Sequence, residues 1–201
     1  MANLVGPEGI LLSASLFALR LSKKPKPEEK PKAYARVGYV QQSVESAPFK
    51  AMQSAVVAAA REAWGQSKAD AMLKEKSIKL PFRTDIAAKG YPEIVKVYIG
   101  GSTLELPQVV SRYKGKDGKP ALITNKAEIY PGCIVRVSYS VRAYGGPGTE
   151  YSPGIALDLR NVQKLGDGER LARSGDASDD FSAEDEPTGA DDAADLASLT
   201  A

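Results

Sequence analysis

Histidine is absent from this chain, and cysteine occurs once, as Cys133. Without His the commonest general base and the commonest metal ligand are missing. No Ser–His or Cys–His catalytic pair can form, and a zinc site has almost no ligands to draw on. A single Cys excludes an intrachain disulfide and suits a reducing compartment. Long apolar runs are missing too. Ile10 to Leu21 is 12 residues long and is broken by Ser13, Ser15 and Arg20, whereas a spanning helix needs about 20 apolar residues. Glu8 is the only charged side chain before that run, so it lacks the basic leader of an export signal. A buried strand is the better reading. Catalytic motifs are equally scarce. There is no G-x-S-x-G elbow, and Gly100-Gly101-Ser102-Thr103 lacks the Lys of a phosphate-binding loop. Asp85, Glu93, Glu105, Glu128 and Asp158 are scattered with no spacing that pairs them. These absences point to a non-enzymatic protein with no cofactor and no metal.

Charge, by contrast, is abundant and unevenly placed. The 201 residues carry a formal net charge of only +2. From Ser174 to Ala201, however, there are nine acidic residues and no Lys or Arg: Asp176, Asp179, Asp180, Glu184, Asp185, Glu186, Asp191, Asp192 and Asp195. The first 173 residues hold all 27 basic residues against the 16 acidic ones that remain, a net of +11. This asymmetry fits polyanion binding by a basic domain over 1–173, followed by an acidic interaction tail over 174–201. A merely solubilising tail is the plainer alternative. The tail has only Phe181, Leu196 and Leu199 as large apolar residues. It cannot bury enough surface to offset its ordering entropy and is expected to be disordered. Its carboxylates give no defined cation site.

The rest reads mainly as strands. Ile10 to Leu21 and Ala33 to Val40 form the first two, joined by the proline-rich Ser22–Lys32 segment, an exposed loop. Ser46 and Pro48 open a helix whose Phe49, Met52, Val56, Ala60 and Trp64 share one face, and Gly65 stops it. Ser67 to Asp70 has a capping-box pattern that starts a shorter helix running to about Lys76. Further strands follow at Ile94–Ile99, ended by Gly100-Gly101, at Gln108–Tyr113, at Cys133–Tyr144, and at Ile155–Val162. Asp117-Gly118 and the Gly145–Gly154 stretch supply turns. Short strands at punctuated intervals with one helical excursion predict a small β-barrel or sandwich.

Alternation along these strands separates a core face from an open face. From Cys133, the open face carries Arg136, Ser138, Ser140, Arg142 and Tyr144. Lys96 and Tyr98 are expected to face out from the next strand, and Tyr34 with Arg36 from another. Arg112 and Lys114 lie nearby. Repeated pairing of a basic residue with an aromatic suits a single nucleic-acid strand, with Arg for phosphate and Tyr as a base platform. Exposed strand faces also favour Tyr and Arg for packing reasons alone. Nothing here reads a 2′-hydroxyl, so DNA and RNA stay open at this point.

Two segments carry a resemblance: Tyr130-Pro131-Gly132-Cys133-Ile134-Val135-Arg136-Val137, and Gly154-Ile155-Ala156-Leu157-Asp158-Leu159-Arg160-Asn161-Val162-Gln163 with Gly166-Asp167-Gly168-Glu169-Arg170-Leu171. They closely resemble a tailed-bacteriophage family of OB-fold single-stranded DNA-binding proteins with acidic C-terminal tails. Lys32-Ala33-Tyr34-Ala35 and Leu80-Pro81-Phe82-Arg83 fit more loosely. The resemblance implies a five-stranded OB-fold barrel with one or two inserted helices and a disordered acidic tail. It implies a protein that coats single-stranded DNA during phage replication, recombination and repair in the cytoplasm of the infected bacterial cell. It further implies that the tail competes with DNA and recruits replication or recombination proteins. Asp179, Asp180, Phe181, Glu184, Asp185, Glu186, Asp191, Asp192 and Asp195 would then form the partner-binding segment. Some relatives end in an aromatic residue, whereas here the last residues are Leu199-Thr200-Ala201. Two other readings compete with this one: a strand-annealing recombination protein, and a structural phage accessory protein that forms homo-oligomers.

Overall fold

A computed structural model describes residues 3–22, 24–25, 27–146, 149 and 151–171. The tail expectation over 174–201, including its nine carboxylates and Phe181, lies outside the described residues.

The protein is mainly β. In chain order its elements are β1 (Leu4–Val5), β2 (Gly9–Arg20), β3 (Lys32–Val40), α1 (Gln41–Glu45), α2 (Ala47–Trp64), α3 (Gln66–Lys74), β4 (Phe82–Arg83), β5 (Val95–Thr103), β6 (Gln108–Lys114), β7 (Pro120–Leu122), β8 (Ile134–Tyr144) and β9 (Gly154–Gly166). β2 pairs antiparallel with β3 and β8, β3 with β5, and β8 with β9. β5 meets β9 in parallel at Ser102 and Asp158. The pairings therefore run in a cycle, β8–β2–β3–β5–β9–β8. Beyond that one contact β5 and β9 splay, and residues 79–83 fill the gap. Ile155 donates its N–H to the Lys79 carbonyl and Lys79 donates to Pro153, while β4 pairs with β5. Past the splay, β6 takes up the free edge of β9 and forms a hairpin with β7 outside the cycle.

Period-2 alternation explains the core. Val135, Val137 and Tyr139 of β8, Val37 and Tyr39 of β3, and Leu157 and Leu159 of β9 are all buried inside. Each large aliphatic side chain there contributes on the order of 1.5–3 kcal/mol by leaving water. α2 covers one end of this core with Phe49, Met52, Val56 and Ala60. Its first turn is capped as expected, with the Ser46 hydroxyl accepting from the Phe49 N–H, and Trp64 packs against the cluster.

Four expectations are corrected. The helix after Gly65 does not begin on a capping box at Ser67. Gly65, at φ 81°, ends α2 and starts α3 one residue later, so Ser67 already lies inside the helix. α3 also stops at Lys74, and Lys76 sits at φ 55°. β5 does not end at Gly100-Gly101 but runs through both glycines to Thr103. Gly101 is there for packing: a Cβ would sit 2.9 Å from the Tyr139 ring. Lastly, the β3–β5 register skips Lys96, since Tyr39 pairs with Val97 but Val40 with Val95. This irregularity puts Val95 and Tyr98 on the same side. There they join Leu12 in a second small cluster, and Tyr98 is only 7% exposed.

The chain after β9 folds back as a short arm over 167–171. Leu171 donates its N–H to the Pro131 carbonyl. The Tyr130 hydroxyl donates to Asp167, the Tyr130 ring lies 4.0 Å from the Arg170 guanidinium, and Lys164 pairs with Asp167. Gly132, at φ 111°, leaves no room for a Cβ against the Glu169 carbonyl, and Gly168 leaves none against the Gly132 carbonyl. Two backbones meet here because neither has a side chain. No helix among the described residues is long and apolar enough to cross a membrane.

Candidate nucleic-acid interface

The outward faces of β3, β5, β9 and β8 form a trough made of neighbouring hollows. At one end, Arg36 of β3 lies opposite Gly100 of β5. A Cβ at Gly100 would touch only Arg36, at 3.7 Å, so this strand position is an open floor. Around it stand Arg36, Arg83, Lys89, Tyr98 and Tyr144. The adjoining hollow is lined by Lys32, Ser102, Thr103, Arg142, Asp158 and Arg160, among others. Lys32 also lines a third hollow with Ser22, Lys24, Pro27, Glu28, Glu29 and Tyr151, where two carboxylates balance the two lysines. That hollow lies between the β2–β3 and β8–β9 connections.

Local wiring differs between the basic groups. Arg142 forks onto Asp158, its Nε donating to Oδ2 at 2.7 Å and its Nη2 to Oδ1 at 2.9 Å. The Asp158 hydrogen bond holds the Arg142 pKa above its ordinary value. Arg160 instead donates its Nε to the Ser140 hydroxyl at 3.1 Å, a neutral partner. Arg36 lies 5.8 Å from the Tyr34 ring. The Tyr144 ring covers Gly154, where no Cβ would fit. Tyr98 donates its hydroxyl to Asp85 at 3.0 Å and meets Tyr91 edge-on, with ring centroids 5.2 Å apart. Burial, then the Asp85 hydrogen bond, raise its pKa.

Of the residues expected at a site, Tyr34, Arg36, Arg142 and Tyr144 come together on this face. Tyr98 reaches it as a buried edge of the floor, not as an open platform. Lys96 does not line these hollows; it sits at the β5 irregularity and donates to the Glu93 carbonyl. Arg136 is exposed on the same side of β8 as Arg142 but six residues away, roughly 20 Å along the strand. Arg112 and Lys114 belong to the β6–β7 hairpin, where Arg112 donates to the Leu165 carbonyl at 3.0 Å and lies 5.7 Å from the Tyr113 ring.

The trough contains groups that sequence reading passed over. Arg160 was within reach of the alternation rule, because it shares the outward face of β9 with Asp158. Lys32 opens β3 two positions before Tyr34, on the same face. Arg83 lies on a two-residue strand and Lys89 in a 3-10 turn at Ala87–Lys89, where no period marks the outward direction. Tyr151 sits in the β8–β9 connection. Among the described residues no group of His, Cys, Asp and Glu is placed to hold a metal ion.

The same arrangement of elements occurs in solved phage proteins. The single-stranded DNA-binding protein of bacteriophage Enc34, in complex with single-stranded DNA, matches with a TM-score of 0.61 at 14% identity, covering 84% of this chain and 88% of that one. Its C-terminal truncation gives 0.54 at 15% identity, with 83% and 87% covered. The gp2.5 single-stranded DNA-binding protein encoded by bacteriophage T7 gives 0.53 at 13% identity, with 94% and 97% covered. At such identities the likeness establishes a shared fold. No curated protein sequence is significantly similar to the chain. The family model for the Enterobacter phage Enc34 ssDNA-binding protein matches residues 24–193, most of the length, so this chain belongs to that family.

Proposed function

We propose that the protein binds single-stranded DNA without sequence preference and without catalysis, along the trough across β3, β5, β9 and β8. The observation that carries this reading is the trough itself: Arg36, Arg83, Arg160 and Lys32 line it together with Tyr144 and Tyr151, and Tyr34 stands opposite Ser102 beside Arg36, in a chain of this family. Cations follow a phosphate backbone, and aromatic faces accept any base. The cycle β8–β2–β3–β5–β9, with its single parallel contact, supports a partly open five-stranded OB-type barrel carrying inserted helices. In that fold the face of the second and third strands, flanked by the first and last connecting loops, receives oligonucleotides. Here those are β3 and β5, with the 21–31 and 145–153 connections.

The proposed DNA contacts are Tyr34, Arg36, Arg142 and Tyr144, extended by Lys32, Arg83, Lys89, Arg160 and Tyr151. Arg112 and Lys114 are assigned to longer strands that run on to the hairpin, and Arg136 to a flank of β8. The setting is the cytoplasm of an infected bacterium, in phage DNA replication, recombination and repair. The acidic tail over 174–201 is assigned competition with DNA and recruitment of replication or recombination proteins. Titration of labelled oligonucleotides tests the core of this reading. One such fold should cover about 4–16 nucleotides, and log affinity should fall with log salt by about 0.7 per phosphate contact. Equal affinity for duplex and single strands, or a flat salt response, would overturn it.

A further inference from the structure

The two arginines of the central hollow are wired for different tasks, although both extend from the same outward face. Arg160 is held through one nitrogen by a neutral hydroxyl, so its charge is uncompensated at that contact. Arg142 is held through two nitrogens by a carboxylate, in the parallel fork that a guanidinium and a carboxylate form best. The pair is only partly exposed, 56% on the Arg142 side chain and 29% on Asp158. The charge of Arg142 is therefore offset in place, and the Nε–Nη2 edge of its guanidinium is occupied, with three of the five N–H donors left on the Nη1 side. What remains open to a ligand is the flat face of the guanidinium and the Nη1 edge of a pair that carries no net charge. A phosphate approaching the Nε–Nη2 edge would meet the Asp158 carboxylate, a like charge, and one approaching the Nη1 edge would meet a cation whose charge that carboxylate already offsets. A base approaching its face would meet a planar, weakly hydrated cation already fixed in orientation, a good stacking surface. Tyr144 stands two residues further along the same face of β8, roughly 7 Å away at about 3.4 Å per residue, and its ring is seated over Gly154.

Resting on the single-stranded DNA reading above, we infer that Asp158 is a positioning residue that turns Arg142 from a phosphate ligand into a base-stacking platform beside Tyr144, leaving Arg160, with Lys32, to carry the phosphate charge in this hollow. The division of labour has a consequence for salt dependence that simple basic-groove binding does not have. Stacking on Arg142 contributes affinity without releasing counterions. Contact of Arg160 with phosphate releases them.

The test is a titration of a labelled oligo-dT spanning one site, over a series of salt concentrations, with full-length protein and the variants Arg142→Gln, Arg142→Lys, Arg160→Gln and Asp158→Asn. Circular dichroism of each variant checks folding. Arg160→Gln should lower the salt slope by about 0.7. Arg142→Gln should weaken binding about tenfold at every salt concentration with the slope unchanged, as expected when one stacking surface is removed. Arg142→Lys should be as weak as Arg142→Gln, because a lysine has charge but no plane. Asp158→Asn should raise the slope by about 0.7, since the freed guanidinium can then take a phosphate. The inference is overturned if Arg142→Gln lowers the slope as Arg160→Gln does, if Arg142→Lys restores wild-type affinity, or if Asp158→Asn leaves the slope unchanged. Failure of the wild-type protein to bind oligo-dT at all would instead overturn the functional reading on which the inference rests.

Discussion

Tyr39 and Tyr139 face each other's surroundings deep in the core, each fully buried. Among the described residues neither hydroxyl has a hydrogen-bond partner of good geometry, although the two lie close enough to affect each other's titration. A buried, unsatisfied hydroxyl costs about 1–3 kcal/mol. Tyr39→Phe should therefore raise stability by about 1 kcal/mol at neutral pH, measured by urea unfolding. Burial also pushes the Tyr39 pKa up to about 12. In the native state the phenol stays protonated at a pH where the unfolded chain has lost that proton. Stability should thus fall as pH rises from 10 to about 12, by about 3 kcal/mol for a shift of two units. The variant removes this residue's share of that fall. A variant less stable at neutral pH, with the alkaline fall undiminished, would refute this account. The same scale shows how local context reassigns a residue that sequence pattern describes fairly. Tyr98 alternates outward with Lys96 on paper. One skipped residue brings Val95 round to its face, where Val95 and Leu12 bury the ring while the hydroxyl is tied to Asp85.

At the level of elements, the most recognisable stretches of the sequence proved to be joinery. Pro131-Gly132 and Gly166 to Leu171 hold the arm against the start of β8, backbone to backbone. Gly132→Ala would add a Cβ that overlaps the Glu169 carbonyl, at φ 111°. The backbone conformation alone should cost about 1–3 kcal/mol, and for a domain of this size each kcal/mol lowers the melting temperature by about 2–4 °C. A thermal melt unchanged by the substitution would show that the arm is not clamped there. The β6–β7 hairpin makes the opposite case, an element whose role depends on reach. Lys114, Lys116 and Lys119 are exposed on it, and five residues of β9 separate Arg160 from Leu165, about 17 Å. Replacing the three lysines by Gln should leave binding of a short oligonucleotide unchanged. For a strand several times longer it should lower the salt slope, by about 0.7 for each phosphate that is no longer neutralised. An equal effect at both lengths would place the hairpin inside the primary site. Strands with strict alternation, such as β8, were legible in the sequence, as were the α2 cap and its apolar face. The irregularity at Lys96, the paired glycines of the arm and the cations on β4 and the 3-10 turn were not. Each depends on a neighbour distant in the chain, and none leaves a period.

For the whole molecule, the governing fact is the opposition between a net of +11 over the first 173 residues and nine carboxylates without a cation after them. The last described residue, Leu171, packs in the cluster of Leu12, Val95 and Tyr98, and Tyr98 also lines the trough. The acidic residues at 176–195 follow within 24 positions. At a maximum of about 3.3–3.6 Å per residue, a carboxylate among them needs only part of its available reach to come near Arg36 or Arg83. On the proposed role of the tail, a carboxylate within a Debye length of those cations, about 8 Å at physiological salt, would compete with phosphate for them. Protein truncated after Arg173 should therefore bind oligo-dT more tightly than the full chain. The difference should be largest at low salt and should shrink as salt screens both attractions. Competition by a tethered polyanion also predicts a smaller salt slope for the full chain, because DNA then displaces carboxylates in place of some counterions. Equal affinities across the salt series would remove competition from the tail's roles and leave recruitment or solubility. A tighter truncated protein with an identical slope would mean that the tail acts on affinity by some route other than occupying the basic trough.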